Sequence, residues 1–133
     1  MKNAIELNGE VYALLADGES LSPGTQWFGD SFQPLQASRM VYGAGKDFRA
    51  HKHILNPRII KRTQEAFVVI TGKIGIDIFG EDKNFMGTLE ASGGEAIFVY
   101  RGYHYVKILE GGIFYEIKAG QFTCVSEDKE FFE

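Results

Sequence analysis

Apolar and polar residues alternate over several short stretches of the chain, and a glycine ends most of these stretches. Ile74, Ile76 and Ile78 are spaced two apart, which places them on one strand face because successive side chains point to opposite faces. A tight reversal at Gly72 is predicted to join Thr63–Thr71 and Lys73–Phe79 as a hairpin. The predicted strands of the second half are Thr63–Thr71, Lys73–Phe79, Glu95–Tyr100, Tyr103–Leu109 and Ile113–Ala119.

The first half of the chain contains shorter and more interrupted stretches of this kind. Asn8–Gly9 is a strong signal for a two-residue hairpin turn, although Val11–Ala16 could also form a helical turn. Ser20–Pro34 contains two prolines and is predicted to be an ordered loop. The predicted strands of this half are Ala4–Leu7, Val11–Leu15, Leu35–Tyr42 and Phe48–His53.

Composition supports a single all-β domain with little helix. The chain has 133 residues, 44% of them apolar, and isoleucine and valine together outnumber leucine by 19 to 8. β-Branched residues lose rotamer freedom in a helix and pack well on a pleated sheet. Many short strands bounded by turn residues predict a sandwich or barrel within one domain, residues 1–133.

Charge and cysteine content argue against several classes of partner and location. The net charge of −4 is unlike that of nucleic-acid-binding proteins, which usually present a basic surface. The longest uninterrupted apolar run has six residues, far fewer than a membrane span needs. Cys124 is the single cysteine and cannot form an internal disulfide, so a reducing, cytoplasmic location is predicted.

All three histidines of the chain fall on predicted strands. His51 and His53 are two apart, so both imidazoles leave the same face and could bind one ion. Glu65 and His104 each share a strand face with apolar residues, which predicts that both point inward. An inward carboxylate is costly unless it is paired or bound to a metal. The four residues together favour a metal site, although singly each is compatible with a polar strand end, a core histidine or a surface ion pair.

Two short motifs contain these residues. In the first, the stretch 48–53 with its two histidines is followed by Glu65 and, after six further residues, by Gly72. In the second, Gly94–Glu95 is followed by Gly102–His104. Together the motifs resemble the two motifs of the cupin superfamily, and the chain is similar to its small single-domain members of undefined function.

The resemblance implies a fold and a metal site. The fold is a double-stranded β-helix, or jelly-roll barrel, with its core over about residues 35–120 and an N-terminal hairpin extension over residues 1–34. The site holds one divalent metal ion, which is zinc, iron, manganese or nickel. Small cupins are commonly dimers, so a homodimer is expected. The metal ligands implied by the motifs are His51, His53, Glu65 and His104.

Five further residues are candidates for binding a small-molecule substrate. Arg49 shares the predicted face of the neighbouring histidines, and Arg58 and Lys61 lie on a loop that could overhang the barrel mouth and bind an anion. That loop could equally be a solvated basic stretch. Glu116 and Lys118 share a strand face, which makes them a buried acid–base couple if the face turns inward and a surface ion pair if it does not.

Three classes of function follow for such a domain. The first is a metal-dependent dioxygenase, isomerase or lyase acting on a small anionic or sugar-like substrate. The second is a non-catalytic sensor or accessory protein that binds a metal and a ligand. The third is a metal-free sugar epimerase or isomerase with a histidine base and a tyrosine acid. The sequence favours the first class and predicts a small-molecule ligand, without a nucleic-acid or membrane partner.

Overall fold

The computed structural model describes residues 3–121 and 124–132, so both ends of the predicted domain lie outside the described residues. The described chain is nearly all β, which confirms the predicted all-β class, and its main sheet curls strongly into a half-barrel. The strands are β1 (Ala4–Leu7), β2 (Glu10–Ala16), β3 (Gly24–Phe28), β4 (Ala37–Val41), β5 (Glu65–Phe79), β6 (Phe85–Ser92), β7 (Ala96–Val99) and β8 (Tyr103–Lys118), followed by the short helix α1 (Val125–Asp128). Within these two ranges, no helix has the length and apolar character needed to cross a bilayer.

The long strand β5 organises the main sheet. One edge of β5 pairs with β7 near its start and with β6 over its second half, while the other edge pairs with β8 along most of its length. The sheet continues from β7 to β2 and then to β1, and all of these pairings are antiparallel. Strands β3 and β4 form a separate two-stranded sheet.

The predicted hairpin at Gly72 is wrong, because the residues on both sides of this glycine belong to one continuous strand. The two predicted strands on either side of Gly72 are both parts of β5, and Tyr103–Leu109 and Ile113–Ala119 are likewise both parts of β8. The pairing of β5 with β8 shifts register three times between Val69 and Ile74, as at β-bulges. A glycine inside a strand often marks such a bulge or a close backbone approach, and here it does both.

Close backbone contact at this point explains the glycines. Gly72 has a φ of +88°, and a Cβ added to it would lie 2.6 Å from the carbonyl oxygen of Glu110. A Cβ added to Gly112 would overlap the carbonyl oxygen of Thr71. The two strands therefore approach each other at a bend that tolerates no side chain at these positions.

The predicted N-terminal hairpin is confirmed. Strands β1 and β2 pair around Asn8 and Gly9, whose φ angles of 53° and 78° are both positive, as in a type I′ turn. Strand β2 reaches Ala16, which excludes the alternative of a helical turn in that stretch.

Two other predictions for local structure are wrong, and one strand was not predicted. Strand β3 lies within Ser20–Pro34, which the prolines had marked as a loop, and pairs residue by residue with β4. Strand β6 is absent from the predicted set, since Gly87 interrupts its apolar pattern. Phe48–His53 is not a strand; it belongs to the exposed stretch 42–63, called here the 42–63 segment, which contains no strand. A strand needs a partner edge and a buried face, and the 42–63 segment has neither in this arrangement.

The core lies on both faces of the curled sheet. The isoleucines predicted to share a face, Ile74, Ile76 and Ile78, are buried on the inner face together with Val69 and Ile97. A smaller cluster on the outer face contains Ala66 and Phe98, against which Phe28 from the two-stranded sheet packs.

The close contact at the bend predicts that alanine substitutions at two adjacent glycines differ strongly in their effect on stability. Gly112→Ala should lower the free energy of unfolding by at least about 2 kcal/mol, because the new methyl group overlaps the backbone of β5. Gly111→Ala is the matched control, since an added Cβ there meets no atom within 4 Å, and it should stay within about 1 kcal/mol of the wild type. Urea unfolding followed by circular dichroism measures both, and equal values for the two variants would contradict the close contact.

Candidate functional site

Strands β5 and β8 pair along most of their length and form a curled two-stranded ribbon, called here the β5–β8 ribbon. The two ends of this ribbon meet on the inner face of the half-barrel. At one end of the ribbon His104 pairs in register with Ile78, and at the other end Glu65 pairs with Lys118. Because the ribbon curls, His104 Nε2 comes within 3.5 Å of Glu65 Oε1. The ring of Phe67 also packs edge-on against the imidazole, with 6.0 Å between the centroids. Two side chains 39 positions apart thus form one pair, which both strand parities had predicted to point inward.

Strand register settles which way the acid–base couple on β8 faces. Lys118 lies opposite Glu65, and Glu116 lies opposite Phe67, so both share the inner face with the Glu65–His104 pair. Lys118 Nζ is 3.5 Å from Glu116 Oε1. The negative charge of Glu116 also acts on the pKa values of both Glu65 and His104. The couple therefore lies on the face of the Glu65–His104 pair, but it is not the buried couple that an inward face predicts, because the side chain of Glu116 is 46% exposed.

Burial dominates the ionisation of the central pair. Glu65 is 8% exposed, and this burial raises its pKa from the usual 4.5 to about 7, with the hydrogen bond to Glu116 and the charge of Glu116 adding to the rise. Burial also lowers the pKa of His104, although the negative charge of Glu116 acts in the opposite direction. Both groups are therefore driven towards their neutral forms, and their contact is not a fully charged ion pair near neutral pH.

The pKa of Glu116 shifts in the opposite direction to that of Glu65. The hydrogen bond from Glu65 lowers the pKa of Glu116, and the charge of Lys118 lowers it further. The two carboxyl groups thus share one proton, which Glu65 holds, while Glu116 remains the ionised partner. This division places a proton donor and an anionic acceptor next to one imidazole.

The C-terminal segment adds charged neighbours that sequence reasoning missed. Asp128 at the end of α1 lies 3.7 Å from Lys118 Nζ and accepts a hydrogen bond of 3.1 Å from the hydroxyl of Thr63. The next residue, Lys129, opposes through its charge the rise in the pKa of Glu65. An acidic tail that ends in aromatic residues was the one signal in the sequence that this segment docks on the domain.

The structure brings the four predicted metal ligands together as two separate pairs. His51 and His53 lie in the exposed 42–63 segment with 5.3 Å between their ring centroids, and His51 Nδ1 is 2.9 Å from the backbone carbonyl of Arg49. Glu65 and His104 form the other pair on the inner face. Over residues 3–121 and 124–132, no group of three or more His, Cys, Asp and Glu side chains is arranged to hold a metal ion. The strand parity used to orient the first pair does not apply, because that stretch is not a strand.

The five candidate substrate-binding residues divide in the same way. Glu116 and Lys118 belong to the inner-face cluster. Arg49, Arg58 and Lys61 are exposed within the 42–63 segment. The inner face therefore receives its positive charge from Lys118 and Lys129 and not from the predicted loop.

The chain matches no family model, no curated protein and no solved structure. The resemblance to cupins consequently rests on the two sequence motifs alone, and the homodimer and the cytoplasmic location stay predictions.

The cluster has the composition of a proton-transfer site. The carboxyl group of Glu65, with its raised pKa, contacts the imidazole of His104, and Glu116, with its lowered pKa, lies on the same concave face. General acid–base groups act best when their pKa values lie near the working pH, which burial achieves here for Glu65. Titratable groups whose pKa values are shifted in this way occur most often at functional sites.

The raised pKa of Glu65 predicts how stability depends on pH. The unfolded chain releases this proton near pH 4.5 and the folded chain near pH 7, so ionisation of Glu65 destabilises the fold increasingly between these values. Glu65→Gln removes the ionisation, so the free energy of unfolding of this variant relative to wild type should rise by about 3 kcal/mol from pH 4.5 to pH 7.5. Urea unfolding at each pH measures this difference.

Gln64→Ala provides the control for this measurement. Gln64 is buried next to Glu65 and accepts a hydrogen bond from the backbone of Leu35, but it carries no titratable group. Its replacement should destabilise the fold by the same amount at every pH. A pH-independent difference for Glu65→Gln as well would contradict the raised pKa.

Proposed function

We propose that this chain is a small-molecule enzyme of the cupin type, with the Glu65–His104 pair as its chemical centre. The observation that supports the proposal is the contact of a buried carboxyl group with an imidazole, 3.5 Å apart, on the concave face of the sheet. A buried carboxyl needs a partner or a role, and this one lies beside an imidazole whose side chain remains 28% exposed. Part of the imidazole side chain is therefore accessible to solvent.

In the proposed reaction, the pair transfers a proton to and from the substrate. The neutral imidazole of His104 accepts a proton from a carbon or hydroxyl group, and the protonated Glu65 donates one to a neighbouring oxygen. Glu116 holds the carboxyl of Glu65 in place through their hydrogen bond. Glu65 thus fills the role of acid that the metal-free isomerase hypothesis assigned to a tyrosine.

The charges around the pair favour a polar substrate with an anionic or sugar-like group. Lys118 contacts both Glu116 and Asp128 and therefore stands fixed beside the centre. A fixed ammonium group can bind a carboxylate or phosphate of a ligand as a point charge. Proton transfer next to such a group is the chemistry of isomerases, epimerases and lyases.

A metal-dependent reaction is the second candidate, and one distance favours it. Two donor atoms that share a tetrahedral ion at bond lengths of about 2.1 Å lie roughly 3.4 Å apart, close to the separation seen between His104 and Glu65. These two side chains therefore fit two positions of a metal site, whereas His51 and His53 do not fit as the structure places them. They would complete the set only if the 42–63 segment moved onto the inner face, which would also build the predicted jelly-roll barrel.

When bound there, a divalent ion of zinc, iron, manganese or nickel would polarise a substrate oxygen. His51, His53, Glu65 and His104 would hold it in that arrangement. The carboxylate of Glu116 would then keep the oxygen of Glu65 oriented, as outer hydrogen bonds do for metal ligands.

Proton transfer can be tested without knowing the natural substrate. Aldoses, ketoses, their phosphates and 2-hydroxy acids incubated with the protein in heavy water should include a compound whose carbon-bound hydrogen is replaced by deuterium, as followed by proton NMR. Glu65→Gln and His104→Gln should each slow this exchange by roughly 10²-fold or more, because each removes one acid–base group. Glu110→Gln, an exposed glutamate at the bend of the ribbon, should leave the rate unchanged.

If no compound exchanges, the isomerase proposal fails and the binding-module class gains support.

Metal dependence is tested by thermal unfolding with and without added Zn²⁺ or Co²⁺. If the four side chains hold one ion, a hundredfold excess of metal over its Kd should stabilise the fold by about 2.7 kcal/mol and raise Tm by roughly 10 °C. His51→Ala, His53→Ala and His104→Ala should abolish this rise. Lys52→Ala is the matched control, since Lys52 lies between the first two histidines and supplies no ligand. A rise that survives both His51→Ala and His53→Ala would contradict the four-ligand site.

A further inference from the structure

The C-terminal segment crosses the gap between the two ends of the β5–β8 ribbon. At the end that contains Glu65, Asp128 is held by the hydroxyl of Thr63 and by the ammonium group of Lys118. These contacts attach the segment to the start of β5 and to the end of β8. They lie directly beside the Glu65–His104 pair, because Lys118 is the residue opposite Glu65 in the sheet.

Two further contacts attach the segment at the opposite end of the ribbon. The hydroxyl of Tyr103 donates a hydrogen bond to the carboxylate of Glu130. The ring of Phe132 packs against Phe79 and Tyr103, with centroids 4.8 Å and 5.4 Å away. Tyr103 precedes His104 in β8, so this second attachment lies at the strand end that carries the other member of the pair, although the side chains of Tyr103 and His104 leave opposite faces of the strand.

Lys129 lies between these two attachments. Its chain neighbours Asp128 and Glu130 make the contacts at the two ends, so the stretch that contains Lys129 spans the distance between them.

Few contacts hold the segment in this position. Of residues 125–132, Asp128 alone is even half-buried, and the side chain of Phe132 remains 46% exposed. Helix α1 has four residues, too few to be stable without tertiary contacts. Segments with little buried surface open locally at far lower cost than the core unfolds.

We propose that residues 125–132 form a strap that closes over the Glu65–His104 pair, anchored by Asp128 and Phe132, and that opens to admit a ligand. The strap gives the proposed function a gate, and this inference rests on that function only in assuming that the ligand binds at the pair. Loss of either anchor shifts the strap towards its open form and increases the exposure of the His104 side chain, which is 28% exposed when the strap is in place.

Acylation of the histidines by diethyl pyrocarbonate tests the strap directly. The reagent modifies accessible, unprotonated imidazole, and peptide mass spectrometry gives a separate rate for each histidine. The exposed His51 and His53 serve as internal standards in every sample. In Asp128→Ala and in Phe132→Ala, the rate at His104 relative to these standards should rise at least about fivefold over wild type, as expected when local opening becomes easier.

Phe131→Ala is the matched control. Phe131 is the neighbouring aromatic residue and is 67% exposed, so its loss should leave the relative rate at His104 unchanged. An unchanged relative rate in both anchor variants would overturn the proposal, as would an equal rise in Phe131→Ala. Because the readout is access to an imidazole, its failure leaves the deuterium-exchange and metal tests of the proposed function untouched.

Discussion

The close backbone contact between β5 and β8 is the constraint on which the rest of the structure depends. Gly72 and Gly112 let the two strands approach within a distance that leaves no room for a Cβ, and the ribbon bends there without losing its pairing. Without the bend, Glu65 and His104 would lie at opposite ends of a flat ribbon well over 30 Å long, given the rise of about 3.3 Å per residue. The candidate site is therefore a consequence of sheet curvature and not of any local motif.

Burial of Glu65 is the energetic counterpart of that curvature. A carboxyl placed inside a curled sheet loses its hydration, and the fold limits the cost by protonating it and by supplying Glu116 as an acceptor. The same arrangement leaves His104 neutral and next to a proton donor. The residues that lower the cost of burying Glu65 are therefore the same residues that could take part in proton transfer with it.

Alternation of apolar and polar residues controls which face of a strand each side chain lies on, and this is what the alternation predicted correctly. It correctly turned Ile74, Ile76 and Ile78 inward, and Asn8–Gly9 correctly predicted its hairpin because its positive φ angles are a local property. Partner choice is not local. Gly72 is equally compatible with a turn and with a bulge, and the apposition of β8 decides between them. The position of Asp128 in the site was likewise beyond prediction, since it follows from packing of the tail.

The proposed metal-dependent alternative depends on the same movement of the 42–63 segment that would cover exposed apolar side chains. Ile108 shares the inner face with Ile74 but is 59% exposed, and on the 42–63 segment Leu55 is 98% exposed. Apolar surface left open on both a sheet face and a nearby unpaired segment is stabilised when the two cover each other. The proposed movement that would bury these side chains is also the one that would carry His51 towards Glu65. Proton transfer by the Glu65–His104 pair needs no such movement, because both of its groups are already in contact, and the acid–base function is therefore the one that the present arrangement supports best.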